Sequence, residues 1–275
     1  MNQRNKHDRK FEGKIVVISG STQGLGEDVA RLFARRGAEG LVICGRNTDK
    51  GKKVADSIIG QGCPTYFVEA DLESVDECKK VISEADSRYG RIDTLVNCAA
   101  MTDRGTILDT SLELFDRMFA TNARAPFFLM QGALNIMIRE GIEGTVVNVQ
   151  SMSAHGGQSF ITAYSGSKGA LSVMTKNAAY SVMHHRIRIN GLNVGWMDSQ
   201  GEDSVQKKYH GAAENWLEDA EKKQPFGRLV KTDEVARVIA FLCSKESGLM
   251  TGSIVDFDQS VLGCADISPQ PPVLG

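Results

Sequence analysis

Short β-branched runs that alternate with longer amphipathic segments set the tightest limit on what this chain can fold into. The runs lie at 14–19 (KIVVIS), 41–44 (LVIC), 65–70 (TYFVEA), 93–97 (DTLVN), 145–150 (TVVNVQ), 186–192 (RIRINGL) and 253–257 (SIVDF). Several are apolar almost throughout, as expected of parallel strands covered on both faces. Between them the apolar period lengthens. After Gly26, Val29, Leu32 and Phe33 recur at helical spacing, and similar patterns run over 75–89, 112–138, 164–183 and 233–243. Strict β-α alternation with short connections predicts an α/β chain, a doubly wound parallel sheet of about seven strands with helices on both faces. No linker splits it, so one domain over 11–263 is expected. The stretch 196–230 breaks the rhythm. It is charged and holds both tryptophans, Trp196 and Trp216, and reads as a helical lid over a site. A disordered lead-in is expected at 1–10 and a proline-rich tail at 264–275.

Other classes are excluded by composition. A net charge of −2 with interspersed signs argues against nucleic acid or an anionic membrane as partner. No apolar run approaches the ~18 residues a spanning helix needs. The six cysteines form no CxxC pair and no metal-ligand spacing, which implies no metal site and a reducing, cytoplasmic setting.

The first β-α junction reads SGSTQGLG. Gly20, Gly24 and Gly26, with Ser21, Gln23 and Leu25 among them, permit a tight turn and close backbone approach. The helix N-terminus that follows offers unpaired N–H groups to a pyrophosphate. The second strand ends CGRN. An acid there would grip a ribose hydroxyl, whereas Arg46 suits a 2′-phosphate, so NADP is favoured over NAD.

Three features stand in order: SGSTQGLG after the first strand, LVNCAA after the fourth, and Y-S-G-S-K after the fifth. Together they resemble the short-chain dehydrogenase/reductase family, in its shorter single-domain branch with a Rossmann-type sheet. The resemblance covers about Phe11 to Asp258. It implies an NAD(P)-dependent oxidoreductase that interconverts a secondary alcohol and a ketone by hydride transfer. It implies that Tyr164 is the general acid/base, with Lys168 on the cofactor ribose and Ser151 on the reacting oxygen. Asn122 matches the asparagine whose helix carries a relay water. For the cofactor it implies Asn97 beside the sheet, Asp71 and Leu72 against the adenine, and Gly195, Met197 and Ser199 near the nicotinamide. The chain departs from the usual pattern at Ser19, at Cys98 and Ala100, at Val194, and at VDFDQS near its end.

Tyr164 and Lys168 are four residues apart, so on a helix they share a face about 6 Å along its axis. A free phenol, with a pKa near 10, is a poor base at neutral pH. A nearby ammonium and a charged nicotinamide ring favour the phenolate and lower that value. Met101, Met152, His155 and Trp196, with Gln150, Met197 and Asp198, are expected to line the substrate pocket. This partly polar set favours a sugar, polyol or similar hydroxy compound. The alternatives are reduction of a hydrophobic carbonyl, or cofactor binding without turnover by a regulatory protein. Glu202 and Asp203 read as surface charge, and Ser153 as loop filler. By analogy with the family the chain is expected to form a homo-oligomer, a tetramer or dimer.

Overall fold

The computed structural model describes residues 9–264. Most of the expected lead-in and tail therefore lies outside the described residues. The strands are β1 (Ile15–Ser19), β2 (Gly40–Gly45), β3 (Thr65–Glu69), β4 (Thr94–Asn97), β5 (Thr145–Ser151), β6 (Arg188–Val194), β7 (Met197–Asp198), β8 (Val230–Lys231) and β9 (Ile254–Phe257). The helices are α1 (Gly24–Arg35), α2 (Thr48–Ile59), α3 (Val75–Tyr89), α4 (Leu112–Phe119), α5 (Ala125–Arg139), α6 (Thr162–Val182), α7 (Gln200–His210), α8 (Trp216–Glu221) and α9 (Thr232–Cys243). Seven strands form one sheet in the order β3-β2-β1-β4-β5-β6-β9, every pairing parallel.

The continuous apolar runs are explained by the two covered faces. Val16 and Ile18 of β1 join one core with Val29 and Phe33 of α1 and Val235 and Ile239 of α9. Val17, pointing the other way, joins a second core with Val81 of α3, Leu129 of α5 and Leu171 of α6. The strand order reverses between β1 and β4. The loops that leave these two strands diverge and open a crevice at the sheet's carboxyl edge.

Three local departures from the sequence pattern have physical causes. The single helix expected over 112–138 is broken by a π turn at Ala120–Arg124. Pro126 lies in the first turn of α5 and has no N–H to donate to the Asn122 carbonyl, so the helical ladder widens there. The sixth strand starts at Arg188 rather than 186, because Arg186 adopts a left-handed conformation (φ 57°) that ends the preceding 3-10 turn. Helix α7 is polar and buries no residue, and α2 has only a short apolar stripe, Val54, Ala55 and Ile58, after a polar first turn. Asn47 and Ser199 cap them by accepting from the amides of Lys50 and Glu202. Within 196–230, α7 and α8 rise from a small β7–β8 ladder, which a 3.0 Å bond from Lys231 Nζ to Asp198 Oδ2 ties at its base.

A buried polar chain joins β4, β5 and α6. Asn97 Nδ2 donates to Asn148 Oδ1 (2.8 Å) and Asn148 Nδ2 to Thr175 Oγ1 (2.9 Å). Gln150 Nε2 donates to the same hydroxyl (3.1 Å), while Thr175 donates to the Leu171 carbonyl (2.7 Å). One donor and two acceptor positions of Thr175 are thereby filled. This network anchors the helix that carries Tyr164 and Lys168 to the middle of the sheet. Asn148→Ala should leave partners on both sides unsatisfied and destabilise the protein by about 2–3 kcal/mol. Urea unfolding read by circular dichroism checks this, and an unchanged midpoint contradicts it.

Candidate active site

A cleft of about 1340 Å³ lies along the carboxyl edge of the sheet, over the β1–β4 crevice. One end is built by the glycine loop. Gly20 (φ 65°) and Gly24 (φ 56°) are left-handed, a conformation that costs little only for glycine. A Cβ at Gly26 would stand 2.2 Å from the Gly20 carbonyl oxygen, and one at Gly20 would stand 2.6 Å from the Ala99 Cα. The turn packs too closely for side chains.

Helix α1 opens into the cleft without a side-chain cap. The amide oxygen of Gln23, the residue at the cap position, instead accepts from Lys50 Nζ at 2.7 Å. An uncapped helix start presents free N–H groups and the positive end of the helix dipole. Those features fit a pyrophosphate. Arg46 and Lys50 line the same end. Arg46 has no ion pair among the described residues, and no carboxylate stands at the end of β2. Asp71 and Leu72 also line this region.

At the other end β5 and α6 bring Ser151, Tyr164 and Lys168 to one wall. Lys168 is 2% exposed, its Nζ donates to the Val149 carbonyl at 3.0 Å, and it lies 5.8 Å from the Tyr164 ring centroid. Burial pulls its ammonium down from the usual value to about 8. Burial pushes the Tyr164 phenol up, partly offset by a hydrogen bond with Ser151. Glu202 adds a smaller upward push and Arg104 a smaller downward pull. The expectation that Lys168 lowers the phenol is therefore not met by this chain alone. With only protein around it, the phenol holds its proton.

Ser153 is more than loop filler. Its backbone amide (3.2 Å) and its hydroxyl (2.9 Å) both donate to Ser151 Oγ. With its acceptor positions engaged, Ser151 directs its own proton elsewhere, towards the cleft.

The other anticipated residues divide into those on the cleft and those behind it. Gln23, Leu25, Met101, Met152, Gly195, Trp196, Met197 and Ser199 line it. A Cβ on Gly195 would collide with the Asp258 carboxylate. Ser21 does not reach the cleft. It is buried, and its hydroxyl donates to the Ile18 carbonyl (2.8 Å) and accepts from the Cys44 amide (3.1 Å), clamping β1 to β2. Asn97 is also behind the wall, in the polar chain described above. Asn122 is fully buried in the π turn. It pins Met101 by accepting from its amide (2.8 Å) and donating to its carbonyl (2.9 Å), and also donates to Ser167 Oγ (3.0 Å).

His155 is turned away from the cleft. Its Nε2 lies 3.1 Å from Asp256 Oδ1 and 2.9 Å from Asn193 Nδ2, because β6 and β9 place those two side chains side by side beneath it. Asp198 is likewise held by Lys231 and does not line the cleft. Other lining residues carry no local motif: Arg104, Phe160, Gln206, His210 and Glu202. Glu202, expected at the surface, accepts from Trp196 Nε1 (2.8 Å) and Gln206 Nε2 (2.7 Å). Only their position, in the loop after β4, the turn between β5 and α6, or the segment after β6, could have singled them out.

Comparison with known proteins agrees with the geometry. Residues 20–260 match the family described as Enoyl-(Acyl carrier protein) reductase. The chain is 34% identical over 248 residues to an uncharacterized oxidoreductase of Thermotoga maritima, covering 90% of this chain and 97% of that one. It is 29% identical over 254 residues to a sorbitol dehydrogenase of Cereibacter sphaeroides, with 90% and 97% covered. Among solved structures, L-sorbose reductase from Gluconobacter frateurii, complexed with NADPH and L-sorbose, superposes with a TM-score of 0.86 at 26% identity, covering 94% of this chain and 100% of that one. This chain belongs to the short-chain dehydrogenase/reductase family and is an oxidoreductase.

The buried ammonium has a stability consequence. Lys168 holds its proton in the unfolded chain up to about 10.5 but in the folded one only up to about 8. Below about 8 both states are protonated and folding bears the full desolvation penalty. Between about 8 and 10.5 the folded state releases the proton first, and the penalty fades as pH rises. Lys168→Met should therefore be more stable than the parent at neutral pH by about 1–2 kcal/mol, with the margin shrinking across that window. Urea unfolding of both proteins over a pH series measures it. A margin that is absent or grows with pH contradicts the assignment.

Proposed function

We propose that this protein is an NADP(H)-dependent oxidoreductase that interconverts a secondary alcohol and its ketone in a polyhydroxylated substrate, a sugar or polyol. The observation that carries this reading is the convergence of Ser151, Tyr164 and Lys168 on one wall of a cleft whose far end is an uncapped helix start flanked by Arg46 and Lys50. When bound, the dinucleotide supplies the hydride donor or acceptor.

The protein's own groups handle the oxygen and its proton. In the reducing direction Tyr164, which burial keeps protonated, gives its hydroxyl proton to the carbonyl oxygen. Ser151, oriented by Ser153, donates to the same oxygen as negative charge develops there. The two remaining hydrogens of the Lys168 ammonium are available to ribose hydroxyls. In the oxidising direction the cationic surroundings of the filled cleft must draw the phenol down before it can accept the alcohol proton. Asn122 supports the proton's onward path. Its carbonyl lacks the usual helical donor because residue 126 is proline, which suits it to hold a water.

Arg46 and Lys50 favour a 2′-phosphate and hence NADP, and the sorbose reductase neighbour is described with NADPH. The sorbitol dehydrogenase and sorbose reductase names, with the polar lining of Glu202 and Gln206, favour a polyhydroxylated substrate. Segment 196–230 serves as the lid, with stacked Trp196 and Trp216 rings (6.2 Å) beside the cleft. Exposed Leu112, Val173 and Tyr180 on α4 and α6 favour a homo-oligomer. Among the described residues no helix is long and apolar enough to cross a membrane. The described cysteines are all free, in keeping with a reducing cytoplasm.

Tyr164→Phe should cut kcat by about 10²–10⁴-fold while NADPH affinity, read by fluorescence titration, stays within about twofold. A variant that retains full turnover contradicts the assignment of the proton donor. The double change Arg46→Ser and Lys50→Gln should weaken NADPH binding by more than about tenfold and leave NADH nearly unaffected. Equal losses for both cofactors contradict the 2′-phosphate reading.

A further inference from the structure

The charges at the substrate end of the cleft are unevenly matched. Asp103 accepts from Tyr209 (2.6 Å) and pairs with Lys208 (3.6 Å), and Glu202 accepts two N–H bonds. Arg104 is half-buried in the same wall and has no carboxylate partner among the described residues. It is nevertheless held firmly. The next residue, Gly105, donates its amide to the Phe160 carbonyl (2.9 Å) and pairs with Ile161. Arg104 Nη1 donates to the Thr102 carbonyl at 2.7 Å, and Nε to His210 Nε2 at 3.3 Å. The guanidinium carbon stands 5.6 Å from the Phe160 ring, and the His210 ring meets that same ring edge-on at 5.2 Å. Of the five N–H donors of a guanidinium, the two on Nη2 and one on Nη1 are left open.

A pre-organised cation with a free fork and no internal counterion is a receptor for a carboxylate. Its field reaches the reacting group, because Arg104 is one of the charges that act on Tyr164. Resting on the reading that Tyr164 and Ser151 hold the reacting oxygen of a polyhydroxylated substrate, we propose that Arg104, steadied by Phe160 and His210, binds a carboxylate at one end of that substrate. The substrate class is thus a sugar acid rather than a neutral polyol. Glu202, on α7, adds orientation. It repels the carboxylate from its own side and can accept from substrate hydroxyls through its second oxygen, so the acid enters with one end towards Arg104. The chemistry is that of the family. The carbinol carbon of the acid gives up its hydride to oxidised cofactor, the C–O bond becomes a carbonyl, and the hydroxyl proton passes to Tyr164, while the carboxylate is unchanged.

The test compares D-gluconate with D-sorbitol, which share a carbon chain and differ in a terminal carboxylate, as substrates for the full-length protein with NADP. The expected result is a kcat/KM at least tenfold higher for gluconate. That ratio should fall at least tenfold in Arg104→Met, chiefly through the KM for gluconate, and recover in part in Arg104→Lys, which restores the charge without the fork. Sorbitol turned over as well as gluconate, or a ratio unmoved in Arg104→Met, overturns the carboxylate site while leaving the polyhydroxylated-substrate reading intact. Turnover confined to hydrophobic secondary alcohols overturns both.

Discussion

Desolvation of two ionisable groups on one wall governs what this cleft can do. Lys168 is buried with a single backbone carbonyl as its bonded partner, and the Tyr164 phenol is shielded beside it. In water either group would titrate several units from where an enzyme working near neutrality needs it. Here burial works on them in opposite directions, pulling the ammonium down and pushing the phenol up. With nothing else in the cleft, the phenol thus holds its proton. A positive charge arriving in the cleft would favour the phenolate and offset the push of burial.

The fold bears the cost of holding these groups through polar connections buried beneath them. The chain from Asn97 through Asn148 and Thr175 to Gln150 fixes α6 against β4 and β5 with nearly every donor assigned. Asn122 does similar work from the π turn, tying the loop after β4 to α6 through Met101 and Ser167. Residues expected from the sequence to be part of the site are in several cases its scaffold. Ser21, Asn97 and Asn122 face backbone or other side chains, whereas Ser151, Tyr164 and Lys168 face the cleft.

The sheet was legible from sequence because its signal is periodic and redundant. Each strand is buried on both faces, and each of the larger helices covers a sheet face with an apolar stripe. The glycine turn and the Ser151, Tyr164 and Lys168 set were legible because close backbone packing and proton transfer each demand particular residue types at fixed spacing. What escaped notice lacks such a constraint. Helix α7 buries no residue and depends on its Ser199 cap, and α2 has only a short apolar stripe after a polar start capped by Asn47. His155 looked like a pocket residue until the β6–β9 register set Asn193 and Asp256 beneath it. Arg104 and Glu202 line one cleft only because segments distant in sequence share the sheet's carboxyl edge, and no local pattern encodes that.

Burial keeps the Tyr164 phenol protonated in the free protein, and the charge of an oxidised cofactor would draw it down. Ultraviolet difference titration of phenolate absorbance, with the Tyr164→Phe protein subtracted, reads that single ionisation. The expected result is a Tyr164 transition above the ordinary phenol range in the free protein and a clear downward shift when NADP⁺ is added. A transition already below that range without cofactor, or one that does not move on its addition, contradicts it.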